Sequence, residues 1–225
     1  MQNVLTFLGK DAGFGENNNS AYFIENNRFV LIDCGITVFS KLQKMKDLLE
    51  SVDGIDVIIT HLHDDHAGSL AQFILWCHFV LKKNINLMSA CKDIEACLAM
   101  RGAPRKDASG TELYTRNFNR KIQFIQTTHA AGMDCYGFYT TIGNASIVYT
   151  GDTKTLAPFA YYIDKGENFY LFVDVSANSG EVHLKLDEHL EYLRKISDTG
   201  AHVVLMHLDD KEKIAQMIQG TPIEM

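Results

Sequence analysis

Short apolar or alternating runs set apart by Gly and Asn clusters open the chain. Residues 4–8, 21–25 and 29–34 read as strands, with Gly13-Phe14-Gly15 and Asn17-Asn18-Asn19 as punctuation between them. The period then changes. Val38, Leu42, Met45, Leu48 and Leu49 recur near helical spacing, so residues 38–49 read as one helix. Residues 55–60 follow as a buried strand rich in β-branched side chains. Ser69 is placed to cap a helix running to residue 81. A strand over 85–89 and a short helix over 92–100 come next. Residues 102–120, with Pro104 and Gly110, have no period and read as a surface segment, either a lid over a site or a plain connector.

The second half repeats this grammar. Strands are expected over 122–127, 136–142 and 145–150, with Gly143-Asn144 as a two-residue hairpin turn. A strand over 169–175, a helix over 186–196, a strand over 202–206 and a helix over 211–218 complete the pattern. Strands first, then alternating strands and helices, fit an α/β architecture: two sheets packed face to face with helices outside. No short-period repeat, low-complexity tract or linker interrupts it, so residues 1–225 are expected to form a single domain.

Composition narrows the function classes. The chain is 46% hydrophobic and 22% charged, enough to bury a sizeable core. A net charge of −7 argues against a general nucleic-acid binder. It leaves room for a small phosphate ester bound at cations. No apolar run is long enough to span a bilayer, and no signal peptide is visible. The five cysteines (Cys34, Cys77, Cys91, Cys97, Cys135) include no Cys-x-x-Cys and read as reduced thiols, which implies a cytoplasmic protein.

The densest chemistry lies in Thr60-His61-Leu62-His63-Asp64-Asp65-His66. Imidazole and carboxylate are the donors that first-row divalent metals take. If the strand direction continues, His61 and His63 leave the same side and close on one ion. Asp65 and His66 come after the chain has turned and suggest a second ion. Asp64 either points away or supports a ligand. Three later strands also end in a ligand type: His129, Asp152 and His207. Seven candidate ligands are enough for two metals.

With these motifs the chain resembles the metallo-β-lactamase-fold metallohydrolases, from Asp33 through His207, and most closely the ribonuclease Z and small cyclic phosphodiesterase branch. The resemblance implies a four-layer αββα sandwich. It implies His61, His63 and His129 as ligands of one metal and Asp65, His66 and His207 as ligands of the other, with Asp152 bridging. Asp33 matches a structural aspartate near the metal loop. His183 stands where phosphodiesterases of this branch carry a histidine that contacts phosphate, and Asp174 stands for its carboxylate partner.

The implied reaction is two-metal hydrolysis of a small phosphodiester or cyclic phosphate, with a metal-activated water as nucleophile. The resemblance implies Asp65 and His183 as the catalytic residues. Zinc is favoured, with manganese or iron as alternatives. Only residues 130–151 separate His129 from Asp152, too few for the tRNA-gripping arm of ribonuclease Z, so structured tRNA is not the expected substrate. A homodimer would be ordinary for this branch. The competing reading is a carboxyl-ester, thioester or lactone hydrolase on the same scaffold. Redox and β-lactam chemistry fit less well, because His63 and Asp152 stand where those enzymes carry glutamate and cysteine.

Overall fold

The computed structural model describes residues 4–117, 120–164 and 166–225. The chain divides into two compact units. One comprises residues 1–9 and 16–119, the other residues 10–15 and 120–225.

The first unit carries a six-stranded sheet in the order β1 (Thr6–Gly9), β2 (Ser20–Glu25), β3 (Arg28–Ile32), β4 (Gly54–Ile58), β5 (Ile85–Met88) and β6 (Tyr114–Thr115). The first two pairings are antiparallel and the last three parallel. Asn26 and Asn27 both have positive φ, the geometry a two-residue hairpin needs, and they turn β2 into β3. β4 is buried along its whole length. Its one charge, Asp56, receives two Arg28 hydrogen bonds of 2.8 Å, which satisfy a carboxylate that would otherwise be costly to bury.

Several boundaries differ from the sequence reading, each for a local reason. The helix expected over 38–49 is two, α1 (Phe39–Lys44) and α2 (Lys46–Ser51). The chain tightens at Met45, whose N–H bonds Leu42 O at 3.0 Å. Ser69 does precede α4 (Leu70–Trp76), but its hydroxyl makes no cap; it donates to Gly35 O at 2.6 Å. The expected run to residue 81 continues as a π-helical turn, Cys77–Leu81. Strand β3 stops at Ile32 because Asp33 adopts a left-handed φ of +59°. A four-residue helix, α3 (Asp64–Ala67), lies inside the His-rich loop, and α5 (Ile94–Met100) precedes the irregular segment. That segment contributes β6; its residues 118 and 119 lie outside the described residues.

The second unit carries a five-stranded sheet in the order β11 (His202–Met206), β10 (Phe169–Asp174), β9 (Ala145–Tyr149), β8 (Tyr136–Ile142) and β7 (Gln123–Gln126). β7–β8 and β8–β9 are antiparallel, and β9–β10 and β10–β11 parallel. Gly143-Asn144 forms the expected turn, closing on the Ile142–Ala145 pair. Helices α6 (Leu186–Ser197) and α7 (Lys211–Met217) follow β10 and β11. Leu186, Leu193 and Ile196 of α6 join Leu171, Val173, Val203 and Leu205 of the sheet in one apolar core. Among the described residues no helix is long and apolar enough to cross a membrane.

Candidate metal centre

Most candidate ligands lie at the carboxyl ends of strands with a parallel neighbour, where α/β sheets place their ligands; His129 instead follows β7, which pairs antiparallel with β8. Asp33 follows β3, and Thr60 to His66 follow β4. In the second unit Asp152 follows β9, Asp174 ends β10 and His207 follows β11. His207, like Asp33, has a left-handed φ, +56°. Neither is glycine, so each carries backbone strain at the point where a candidate site is built.

In the first unit one buried carboxylate organises the histidines. Asp33 accepts from the Thr60 N–H at 2.8 Å and from its hydroxyl at 2.9 Å. His66 Nδ1 lies 2.8 Å from Asp33 Oδ2. With that N–H donating, His66 Nε2 is left as the lone-pair nitrogen, 3.2 Å from Asp65 Oδ2. Thr60 Oγ1 is also 3.1 Å from His61 Nδ1. Because the Thr60 proton goes to Asp33, His61 Nδ1–H donates to Thr60, and His61 Nε2 turns its lone pair outward. It faces His63 Nδ1 at 3.0 Å. Burial pushes the Asp33 carboxyl up, against the lowering exerted by His66 and Thr60.

Asp64 turns away from this cluster. Its carboxylate pairs with Arg101 at 2.6 Å, and Arg101 also donates to Ala67 O and Gly68 O at 3.3 and 3.1 Å. Arg101 therefore holds both ends of α3, the helix that carries Asp65 and His66. Nothing in the sequence marks this role, because the two residues lie 37 positions apart.

In the second unit Asp152 Oδ2 lies 3.5 Å from His129 Nε2 and 3.4 Å from His207 Nε2. His129 Nδ1–H donates to Val182 O at 2.8 Å, which leaves Nε2 as the lone-pair nitrogen toward Asp152. His183 Nδ1 donates to Asp174 Oδ2 at 2.9 Å and stands 4.0 Å from Asp152 Oδ2. Burial lowers the His183 pKa, but the Asp174 hydrogen bond and the charges of Asp174 and Asp152 outweigh it and raise the value. The loop carrying Val182 and His183 is pinned by Asp209, which accepts from Ser176 Oγ at 2.6 Å and Ala177 N at 2.9 Å.

The donor set fits divalent metal. Two donors on one tetrahedral ion at about 2.1 Å are about 3.4 Å apart. The Asp152 contacts match that spacing and are long for charged hydrogen bonds. Asp152, Asp174, His183 and His207 offer donor atoms all within 4.8 Å of one another. Each sequence-identified residue thus joins a cluster in its own unit: His61, His63, Asp65 and His66 in one, His129, Asp152, His183 and His207 in the other. The remaining histidines have structural partners: His78 with Asn84, His189 with Lys185 O, His202 with Glu224. None of the five cysteines is in a disulfide, and burial pushes the Cys34 thiol up to about 12, unsuited to a thiolate ligand.

A model of the family described as the metallo-beta-lactamase superfamily matches residues 14–190. Over 234 residues the chain is 30% identical to the anti-Pycsar protein Apyc1 of Bacillus phage BSP38, covering 92% of this chain and 89% of that protein. It is similar in structure to YhfI of Bacillus subtilis, a metallo-beta-lactamase fold protein (TM-score 0.71, 21% identity, 98% of this chain and 93% of that one). It is also similar to human tRNase Z, short form (TM-score 0.67, 16% identity, 93% of each chain).

Proposed function

The chain belongs to the metallo-β-lactamase superfamily and has its α/β fold, and from this we propose that it is a two-metal phosphodiesterase acting on a small phosphodiester or cyclic phosphate, a cyclic nucleotide being the first substrate to test. His61, His63, Asp65 and His66 of one unit and His129, Asp152 and His207 of the other are the proposed ligands, with Asp152 shared. Zinc is the favoured metal, with manganese or iron as alternatives. When bound, two such ions supply Lewis acidity and lower the pKa of a coordinated water.

The chain's own groups do the rest. Asp33 and Thr60 fix the His61 and His66 tautomers, which leaves their Nε2 lone pairs as the donors that would hold metal. Asp65 would hold a metal and orient the attacking water. His183, whose protonated form Asp174 favours, would donate a proton to the departing alkoxide.

The observation that carries the phosphorus reading is the His183–Asp174 pair, 4.0 Å from Asp152. An alkoxide leaving from phosphorus needs a proton, and the hydrogen bond and charge of Asp174 favour the protonated form of this imidazole.

The test uses full-length protein stripped of metal by chelation and reloaded with zinc or manganese. Bis(p-nitrophenyl) phosphate and 3′,5′-cyclic nucleotides are the substrates. Turnover that needs metal and disappears in His61→Ala is the expected result. Two bound metals with no phosphodiester turnover, and hydrolysis of a thioester or lactone instead, would overturn the reading.

A further inference from the structure

The loop of residues 10–15 belongs to the second unit although its flanking sequence belongs to the first. It is zipped to the segment just after the candidate ligand His207. Leu208 N donates to Lys10 O at 2.7 Å, and Ala12 N to Leu208 O at 3.0 Å. Gly15 N closes a turn on Ala12 O at 2.8 Å, and Lys211 pairs with Asp11. Gly15 is required by contact: a Cβ there would sit 2.2 Å from the Asp11 Cβ.

This pinned turn presents Phe14 fully exposed to solvent. A cavity of about 420 Å³ opens beside it, lined by Asp11, Phe14, Leu208, Asp209, Lys211 and Glu212 among others. That volume falls in the range of small-molecule sites. Its lining is acidic, so it repels a phosphate and suits a neutral group carrying N–H or O–H donors. A flat apolar ring over such a lining has the chemistry of a nucleobase site: the ring stacks on the base, and an exposed carboxylate such as Glu212 accepts its N–H groups.

We propose that Phe14 and this cavity form the nucleobase subsite of the substrate, one residue beyond the ligand His207. The proposal rests on the phosphodiester reading for its kinetic consequence and on the cavity alone for its binding consequence. Leu208 lines the cavity and adjoins His207 in the chain, with Cα atoms about 3.8 Å apart, which puts the cavity within a nucleotide's reach of a phosphodiester held at Asp152 and His207.

Two measurements on the metal-loaded protein test it. The first is binding of uridine and adenosine, which carry no phosphate, by saturation-transfer NMR and calorimetry. Binding is expected, weakened about tenfold by Phe14→Ala and kept by Phe14→Trp, since each stacked base contributes on this scale. The second is the ratio of kcat/KM for 3′,5′-cyclic UMP to that for glycerol 1,2-cyclic phosphate, which has no base. Phe14→Ala should lower this ratio about tenfold.

Nucleoside binding that is absent, or that ignores Phe14→Ala, overturns the subsite. If no phosphodiester is hydrolysed but nucleoside binding requires Phe14, the phosphodiesterase reading fails and the subsite stands. If phosphodiesters are hydrolysed with an unchanged ratio in Phe14→Ala, the subsite fails and the phosphodiesterase reading stands.

Discussion

His66 Nδ1 donates to Asp33 Oδ2 at 2.8 Å, and both side chains are fully buried. The same carboxylate takes two hydrogen bonds from Thr60, whose hydroxyl in turn meets His61. One aspartate thus sets which nitrogen two histidines offer to a metal. Its left-handed backbone at the end of β3 is what swings the carboxylate under the loop.

Asp33→Asn tests this. The substitution keeps the volume but turns one accepting oxygen into a donor, which must face Thr60 or His66. Metal affinity should fall about 10–100-fold, the usual cost of losing a group that orients a ligand. Stability of the metal-free protein should fall by about 1–3 kcal/mol. Chelator competition and urea unfolding measure the two. An unchanged affinity would mean that the histidines find their orientation without Asp33.

Gly35→Ala tests how tightly the metal loop is seated within the first unit. A Cβ at Gly35 would lie 1.9 Å from the Asp65 backbone oxygen and 2.5 Å from its carbon. Backbone cannot swing aside as a side chain does, so the loop must shift. The expected cost is about 1–3 kcal/mol, with loss of metal affinity. Gly102→Ala is the comparison. Gly102 has φ +80° with nothing within 4 Å of an added Cβ. It should lose about 1 kcal/mol through strain alone and bind metal normally. Equal metal loss in both variants would show that the effect is global.

Much of the fold was legible because the two halves keep clean periods. Strands Tyr136–Ile142 and His202–Met206 fall where alternation and β-branching put them. The strand ends were legible as chemistry too, since His129, Asp152 and His207 each follow an apolar run. What could not be read were relations between distant residues. The loop of residues 10–15 joins the second unit through backbone bonds to Leu208, and a backbone bond has no residue type to signal it. The hold of Arg101 on α3 depends on a tertiary approach. Helix breaks at Met45 and at residue 77 follow from hydrogen-bond shifts that apolar spacing does not encode.

Arg101→Ala should loosen α3 without unfolding the protein, because Arg101 is partly exposed and touches carbonyls rather than core. Metal affinity should drop by up to about tenfold, while the melting temperature of the metal-free form shifts little. Asp64→Ala removes the ion pair but leaves the carbonyl contacts, so its effect should be smaller. The coupling between the two in a double-mutant cycle should be about 0.2–1 kcal/mol, as for other partly exposed pairs. A larger effect from Asp64→Ala than from Arg101→Ala would contradict this division of labour.

The pH dependence follows from the sign of the His183 shift. Its folded pKa is raised, by the Asp174 hydrogen bond and the charges of Asp174 and Asp152, over the lowering by burial. As the proton donor to the leaving oxygen, His183 works in its charged form, so kcat should fall as pH rises through that raised value. Asp174→Asn removes the nearest charge and leaves only a weaker amide-oxygen acceptor, which lowers the His183 pKa and moves the descending limb to lower pH. His183→Ala should abolish the limb and cost about 10²–10⁴-fold in kcat on substrates with poor leaving groups. The loss should be smaller on bis(p-nitrophenyl) phosphate, whose leaving group needs no proton. Stability of the metal-free protein carries the same sign. A histidine with a raised folded pKa stabilises fully below its unfolded pKa, and that contribution disappears as pH rises through the folded value. Melting temperatures across pH 5 to 9 should therefore show an alkaline loss that Asp174→Asn diminishes. An alkaline limb that stays in place in Asp174→Asn would assign the proton to another group.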